Sequence, residues 1–134
     1  MSPSGIHHLG VAVADLDEAV DSYRRMFGAE LEERLTVPEG DLEVAMLRIG
    51  GDRIELLHSL DPETPVGRFL ERRGPGMHHV AFEVDDVGAE LDRLAAVGAE
   101  LIDVEPRAGA FGHDIGFVHP GSAGGVLTEL VARG

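Results

Sequence analysis

The chain has no cysteine and no tryptophan, one tyrosine and five phenylalanines in 134 residues. Without cysteine there are no disulfides, no thiolate nucleophile and no sulfur-ligated metal, so any metal site must be built from imidazole and carboxylate. The scarcity of aromatic rings argues against stacking platforms for single-stranded nucleic acid or large planar ligands. Basic residues are also few, 11 Lys and Arg against 25 Asp and Glu, for a formal net charge of −14. That balance gives no basic cluster to release counterions from a phosphate backbone or an anionic membrane, so neither nucleic acid nor membrane is expected as a partner. A small anionic substrate is still allowed, because one ion or a few Arg residues can reverse the field within a single cleft. No apolar run is long enough to span a bilayer, and no secretory leader is evident, so the cytoplasm is the default location.

What is present is a repeat. Ile6-His7-His8-Leu9-Gly10-Val11-Ala12-Val13-Ala14-Asp15 returns roughly seventy residues later as Met77-His78-His79-Val80-Ala81-Phe82-Glu83-Val84-Asp85-Asp86. After each copy comes an amphipathic segment and then the same tetrapeptide, Gly28-Ala29-Glu30-Leu31 and Gly98-Ala99-Glu100-Leu101. A repeat of this length suggests one domain, residues 1–134, made of two copies of a supersecondary module.

Alternation predicts a strand over 6–13, with His8 on the face of Gly10 and Ala12 and His7 on the other. Asp15 with Glu18 three residues on reads as a helix start. Leu16, Ala19, Val20, Tyr23, Met26 and Phe27 share one helical face, and Gly28 ends the helix. Strands follow near 29–36, 43–49 and 52–58, broken by Pro38-Glu39-Gly40-Asp41 and by Gly50-Gly51-Asp52. Module 1 is therefore βαβββ over about 5–58. A connector, 59–76, carries a short helix started by Thr64-Pro65 with Val66, Phe69 and Leu70 inward. Module 2, about 77–132, repeats the pattern with a helix over 87–97 on Leu91, Leu94 and Val97 and strands near 99–105, 114–119 and 125–131.

Superposing the modules pairs His8 with His79, and Glu55 in Ile54-Glu55-Leu56-Leu57 with Glu129 in Thr128-Glu129-Leu130-Val131. A lone strand histidine is usually structural and a lone glutamate in an apolar run is often an edge device. Both types at matching positions in two copies point instead to a site: two imidazoles and two carboxylates around one divalent ion. The donor set suits Co²⁺, Mn²⁺, Ni²⁺, Mg²⁺, Fe²⁺ or Zn²⁺ in six-fold geometry with two positions open. His7 and His78 fall on the opposite strand face and read as structural or surface groups.

These motifs resemble the vicinal oxygen chelate superfamily and, within it, the methylmalonyl-CoA epimerase family. The likeness is carried by Glu55-Leu56-Leu57-His58, Pro65-Val66-Gly67-Arg68-Phe69-Leu70-Glu71 and His119-Pro120-Gly121-Ser122-Ala123-Gly124-Gly125-Val126-Leu127-Thr128-Glu129-Leu130 beside the two histidine strands. The resemblance implies an α+β fold in which two tandem βαβββ modules make a cup-shaped mixed sheet with helices outside, and a homodimer. It implies His8, Glu55, His79 and Glu129 as metal ligands, with Co²⁺ favoured. It also implies an isomerase acting on an acyl-CoA, interconverting the 2R and 2S forms of methylmalonyl-CoA or a close 2-substituted malonyl-CoA through a metal-stabilised enolate. Relatives place an acid/base Glu on the strand after Pro38-Glu39. Here that position is Val44 with Glu43 beside it, so either Glu43 is brought in by a shortened loop or another residue serves. Glu129 is the other candidate. Gly109-Ala110-Phe111-Gly112-His113-Asp114 also departs from the family pattern, and His113 reads as a solvent-facing loop residue. Arg68, Arg72 and Arg73 are the nearest basic cluster for the coenzyme and read as a solvated helix face. Competing readings are a glyoxalase I-like lyase on a glutathione hemithioacetal and a metal-free small-molecule binder.

Overall fold

The structure is a computed structural model, and it describes residues 2–38 and 41–132. Glu39 and Gly40 of the expected loop lie outside the described residues. Chain contacts divide into two compact units, residues 8–78 and residues 2–7 with 79–132.

In the first unit, β1 (Gly5–Ala12, entering from the other unit) is followed by α1 (Leu16–Phe27), β2 (Glu30–Val37), β3 (Leu42–Ile49), β4 (Asp52–Ser59) and α2 (Pro65–Arg73). The strand order is β2-β3-β4-β1, antiparallel through β4 and parallel between β4 and β1. The Asp15 side chain caps α1 by accepting from the Glu18 N–H at 3.0 Å, and Gly28 ends it in the left-handed conformation at φ 66°. Leu16 and Val20 then pack on Ala45, Leu47 and Leu56. Burying a leucine fully is worth roughly 1.5–3 kcal/mol, enough to hold the helix on this sheet face. Met26 and Phe27, expected on the same stripe, are more than half exposed at the last turn. Thr64 caps α2, accepting from Gly67 N–H at 3.0 Å.

The other unit holds β5 (Gly76–Val84), α3 (Val87–Ala96), β6 (Arg107–Ala108), β7 (Asp114–Val118), a 3-10 turn at Pro120–Ser122 and β8 (Thr128–Ala132), in the order β5-β8-β7-β6. Asp86 caps α3 as Asp15 caps α1, and Val87 and Leu91 pack on Val84, Val118 and Leu130.

Three expectations change here. The strand expected over 99–105 is only an isolated bridge, Leu101 to Val118, and pairing resumes at Arg107 after Pro106, which has no N–H to give a ladder. The strand expected from 125 starts at Thr128, because Gly124 and Gly125 take positive φ values of 68° and 94°. In α3 Glu90, 3 % exposed, is buried with Val87 and Leu91, while Val97 is 70 % exposed beyond the helix. Arg93 forms a short ion pair with Glu90, and that hydrogen bond raises the Arg93 pKa above its usual value.

Candidate functional site

Each unit places one imidazole against one carboxylate, and does so by the same register. In the first, β1 runs parallel to β4 with Gly10 opposite Glu55; His8, two residues before Gly10, projects to the same face. His8 Nε2 lies 3.6 Å from Glu55 Oε1. In the other, β5 runs parallel to β8 with Ala81 opposite Glu129, and His79, two residues before Ala81, shares that face. His79 Nε2 lies 3.1 Å from Glu129 Oε1. The parallel-strand partner of each glutamate, Gly10 or Ala81, is small, which leaves room for the carboxylate to lean toward its histidine.

All four side chains are buried, His8 and His79 at 3 % exposure, Glu55 at 8 % and Glu129 at 6 %. A carboxylate taken out of water is costly unless compensated by charge and hydrogen bonds. Each pair offers a divalent cation one nitrogen and one oxygen donor, the mixed set expected from a chain without thiolates. The donor chemistry therefore fits a borderline or hard divalent ion.

Cross-strand register also fixes the phase of β3. Met46 faces Glu55 and Val44 faces Leu57, whereas Glu43 faces His58 and Ala45 faces Leu56. Glu43 thus projects to the α1 side of the sheet and Glu55 to the other. No shortening of the preceding loop turns it toward Glu55, since the β3–β4 ladder runs without a slip from Leu42 to Ile49. Glu33, on the edge strand β2, faces Met46 and so shares the Glu55 side, just past a register shift between Leu31 and Glu33. Sequence reasoning passed over it because a bulge one residue earlier changes which way the edge strand's side chains point.

The His78 ring packs edge on against Phe69 at 5.1 Å, and His58 Nδ1 donates to the Val13 carbonyl at 2.8 Å, tying the end of β4 to the chain leaving β1. His113 is half-buried rather than solvent-facing, its ring 6.2 Å from that of His7. Arg68 donates to the Glu63 carbonyl and Arg73 lies over Phe69, so both serve the connector locally. Not foreseen was a group beside His79. Phe117 is the cross-strand partner of Glu129, and its ring meets that of His79 at 5.9 Å. The period-two pattern of Ile115-Gly116-Phe117-Val118 placed it on one of two faces without saying which.

The described residues contain no helix long and apolar enough to cross a membrane. The profile of the Glyoxalase/Bleomycin resistance protein/Dioxygenase superfamily matches residues 7–117. The mitochondrial methylmalonyl-CoA epimerase of Bos taurus is 36% identical over 126 residues, covering 93% of this chain and 72% of its own. The ethylmalonyl-CoA/methylmalonyl-CoA epimerase of Cereibacter sphaeroides is 37% identical over 127 residues, covering 93% and 95%. A variant methylmalonyl-CoA epimerase of Streptomyces coelicolor, solved in complex with 2-nitronate-propionyl-CoA, superposes with a TM-score of 0.92 at 36% identity, covering 98% of this chain and 96% of that one. Two βαβββ modules, a matching His–Glu pair in each, and relatives of this closeness place the chain in the glyoxalase superfamily, with the vicinal oxygen chelate fold and its likeness to the methylmalonyl-CoA epimerases.

Proposed function

We propose that this chain epimerises methylmalonyl-CoA, or a close 2-substituted malonyl-CoA, using one divalent ion shared by His8, Glu55, His79 and Glu129, with residues 1–134 acting as one domain. The carrying observation is the pair of buried His–Glu contacts built on the same register in both units. An ion bound by these donors, Co²⁺ first by likeness to the family, would supply a Lewis acid that favours the enolate over the neutral thioester.

The protein's own groups then move the proton. The C–H bond at the carbon between the thioester and the carboxylate breaks with its electron pair left on the substrate. A proton is returned to the opposite face, so nothing is oxidised or reduced. Glu129 can use one oxygen as donor to the ion and the other to take or give that proton. Burial keeps bulk water from intercepting it. A second acid/base is needed on the other face. Because Glu43 points to the α1 side, we assign this role to Glu33, which stands in the cross-strand row Glu33, Met46, Glu55. Neighbouring strands are about 4.8 Å apart, so Glu33 stands roughly 10 Å from Glu55 across the sheet, and its side chain would extend over Met46 toward a ligand held between them. The reading extends, by resemblance alone, to a homodimer in the cytoplasm.

The test is incubation of one epimer of methylmalonyl-CoA with the metal-loaded protein in D₂O. Metal-dependent appearance of deuterium at the carbon between the carbonyls supports the proposal. Turnover of a glutathione hemithioacetal with no exchange would replace it with the lyase reading.

A further inference from the structure

Phe117 stands beside both proposed donors of its unit. It is the cross-strand neighbour of Glu129, and its ring meets the His79 ring at an interplanar angle of 84° with centroids 5.9 Å apart. Any small group held by those two donors therefore has this ring as a wall. The wall is also anchored. The Arg107 guanidinium carbon lies 5.3 Å over the ring, Arg107 Nε donates to Asp103 Oδ1 at 3.0 Å, and the Phe117 N–H donates to Asp103 Oδ2 at 2.8 Å. One carboxylate thus holds both the backbone of Phe117 and the cation stacked on its side chain. Ile115, Val131 and Ala81 back the ring from the same sheet face. The equivalent position of the other unit, opposite Glu55, is Met46, a flexible thioether side chain in place of a ring.

We propose that Phe117, held in place by Asp103 and Arg107, determines which 2-alkyl branch of the malonyl thioester is accepted, favouring methyl over ethyl. This rests on the epimerase reading. An anchored ring cannot swing aside for an extra methylene, whereas a loose side chain can, and one methylene in an apolar pocket changes discrimination by tenfold or more. Arg107 and Asp103 are positioning residues: they act on the branch through the ring.

The experiment compares wild type, Phe117→Leu, Arg107→Met and Arg107→Lys on methylmalonyl-CoA and ethylmalonyl-CoA. It reads kcat/KM for each ester and, separately, affinity by calorimetry with racemic esters, whose interconversion gives no net heat. Phe117→Leu is expected to raise the ethyl-to-methyl ratio about tenfold in both readouts at unchanged metal content. Arg107→Met should raise it in the same direction and Arg107→Lys, which keeps a cation over the ring, should return it toward wild type. Ratios within twofold of wild type for both Phe117→Leu and Arg107→Met would overturn the inference. Should the wild type epimerise neither ester, the functional reading fails while the calorimetric ratio still decides the role of Phe117.

Discussion

His79 and Glu129 meet at 3.1 Å because the histidine lies two residues before Ala81, the parallel-strand partner of the glutamate, and His8 and Glu55 meet at 3.6 Å by the same offset through Gly10. Equal construction of the two pairs means that equal damage should follow from removing either imidazole. His8→Ala and His79→Ala are each expected to lower the divalent metal retained after dialysis to a small fraction of the wild-type content, measured by elemental analysis, and to abolish any rise in melting temperature on adding metal. Full metal content in either variant would separate that histidine from the site.

The proton-transfer assignment makes three glutamates distinguishable. Glu129→Gln keeps an oxygen donor but removes the proton carrier, so deuterium exchange should fall by roughly 10²–10⁴-fold. Glu33→Gln should slow exchange with metal content intact. Glu43→Gln, on the α1 side of the sheet, should exchange at close to the wild-type rate; a large loss there would mean that β3 is shifted by one residue in solution.

Gly67 in the first turn of α2 has no room for a side chain. A Cβ there would sit 1.9 Å from the Asp61 carbonyl oxygen and 2.9 Å from Thr64 Oγ1, both part of the turn that caps the helix. Backbone cannot yield as a side-chain tip does. Gly67→Ala should therefore cost about 1–3 kcal/mol, read as a lower urea midpoint at constant m value.

Glu90 is 3 % exposed and meets Arg93, whose side chain is 40 % exposed. Arg93→Met leaves the carboxylate buried without that cation and should lower the urea midpoint, by less than for a fully buried pair because water reaches the guanidinium. Glu90→Met together with Arg93→Met should recover most of the loss, checked by a double-mutant cycle.

Much of this was legible in the residues. Strand alternation put His8 with Gly10, because a period of two is unambiguous where small and apolar residues alternate cleanly, and the repeat matched His79 to His8 and Glu129 to Glu55. The helix caps at Asp15 and Thr64 were equally plain. What failed did so for identifiable reasons. Val97 looks apolar in sequence but follows the last turn of α3, and Glu90 is buried with Val87 and Leu91 because Arg93, one turn on, neutralises it. The run 99–105 has strand-like residues, yet Pro106 and the Asp103 side chain bonded to Phe117 N–H divert the backbone from the ladder. The phase of Glu43 could not be read at all without knowing which residue of β4 it faces.

Each half of this chain carries one His–Glu pair built on the same strand register. Tethering the copies in a single polypeptide frees their matching positions to drift apart under different demands. The position facing the glutamate shows such divergence: a pliant thioether in one half at Met46, a braced ring in the other at Phe117.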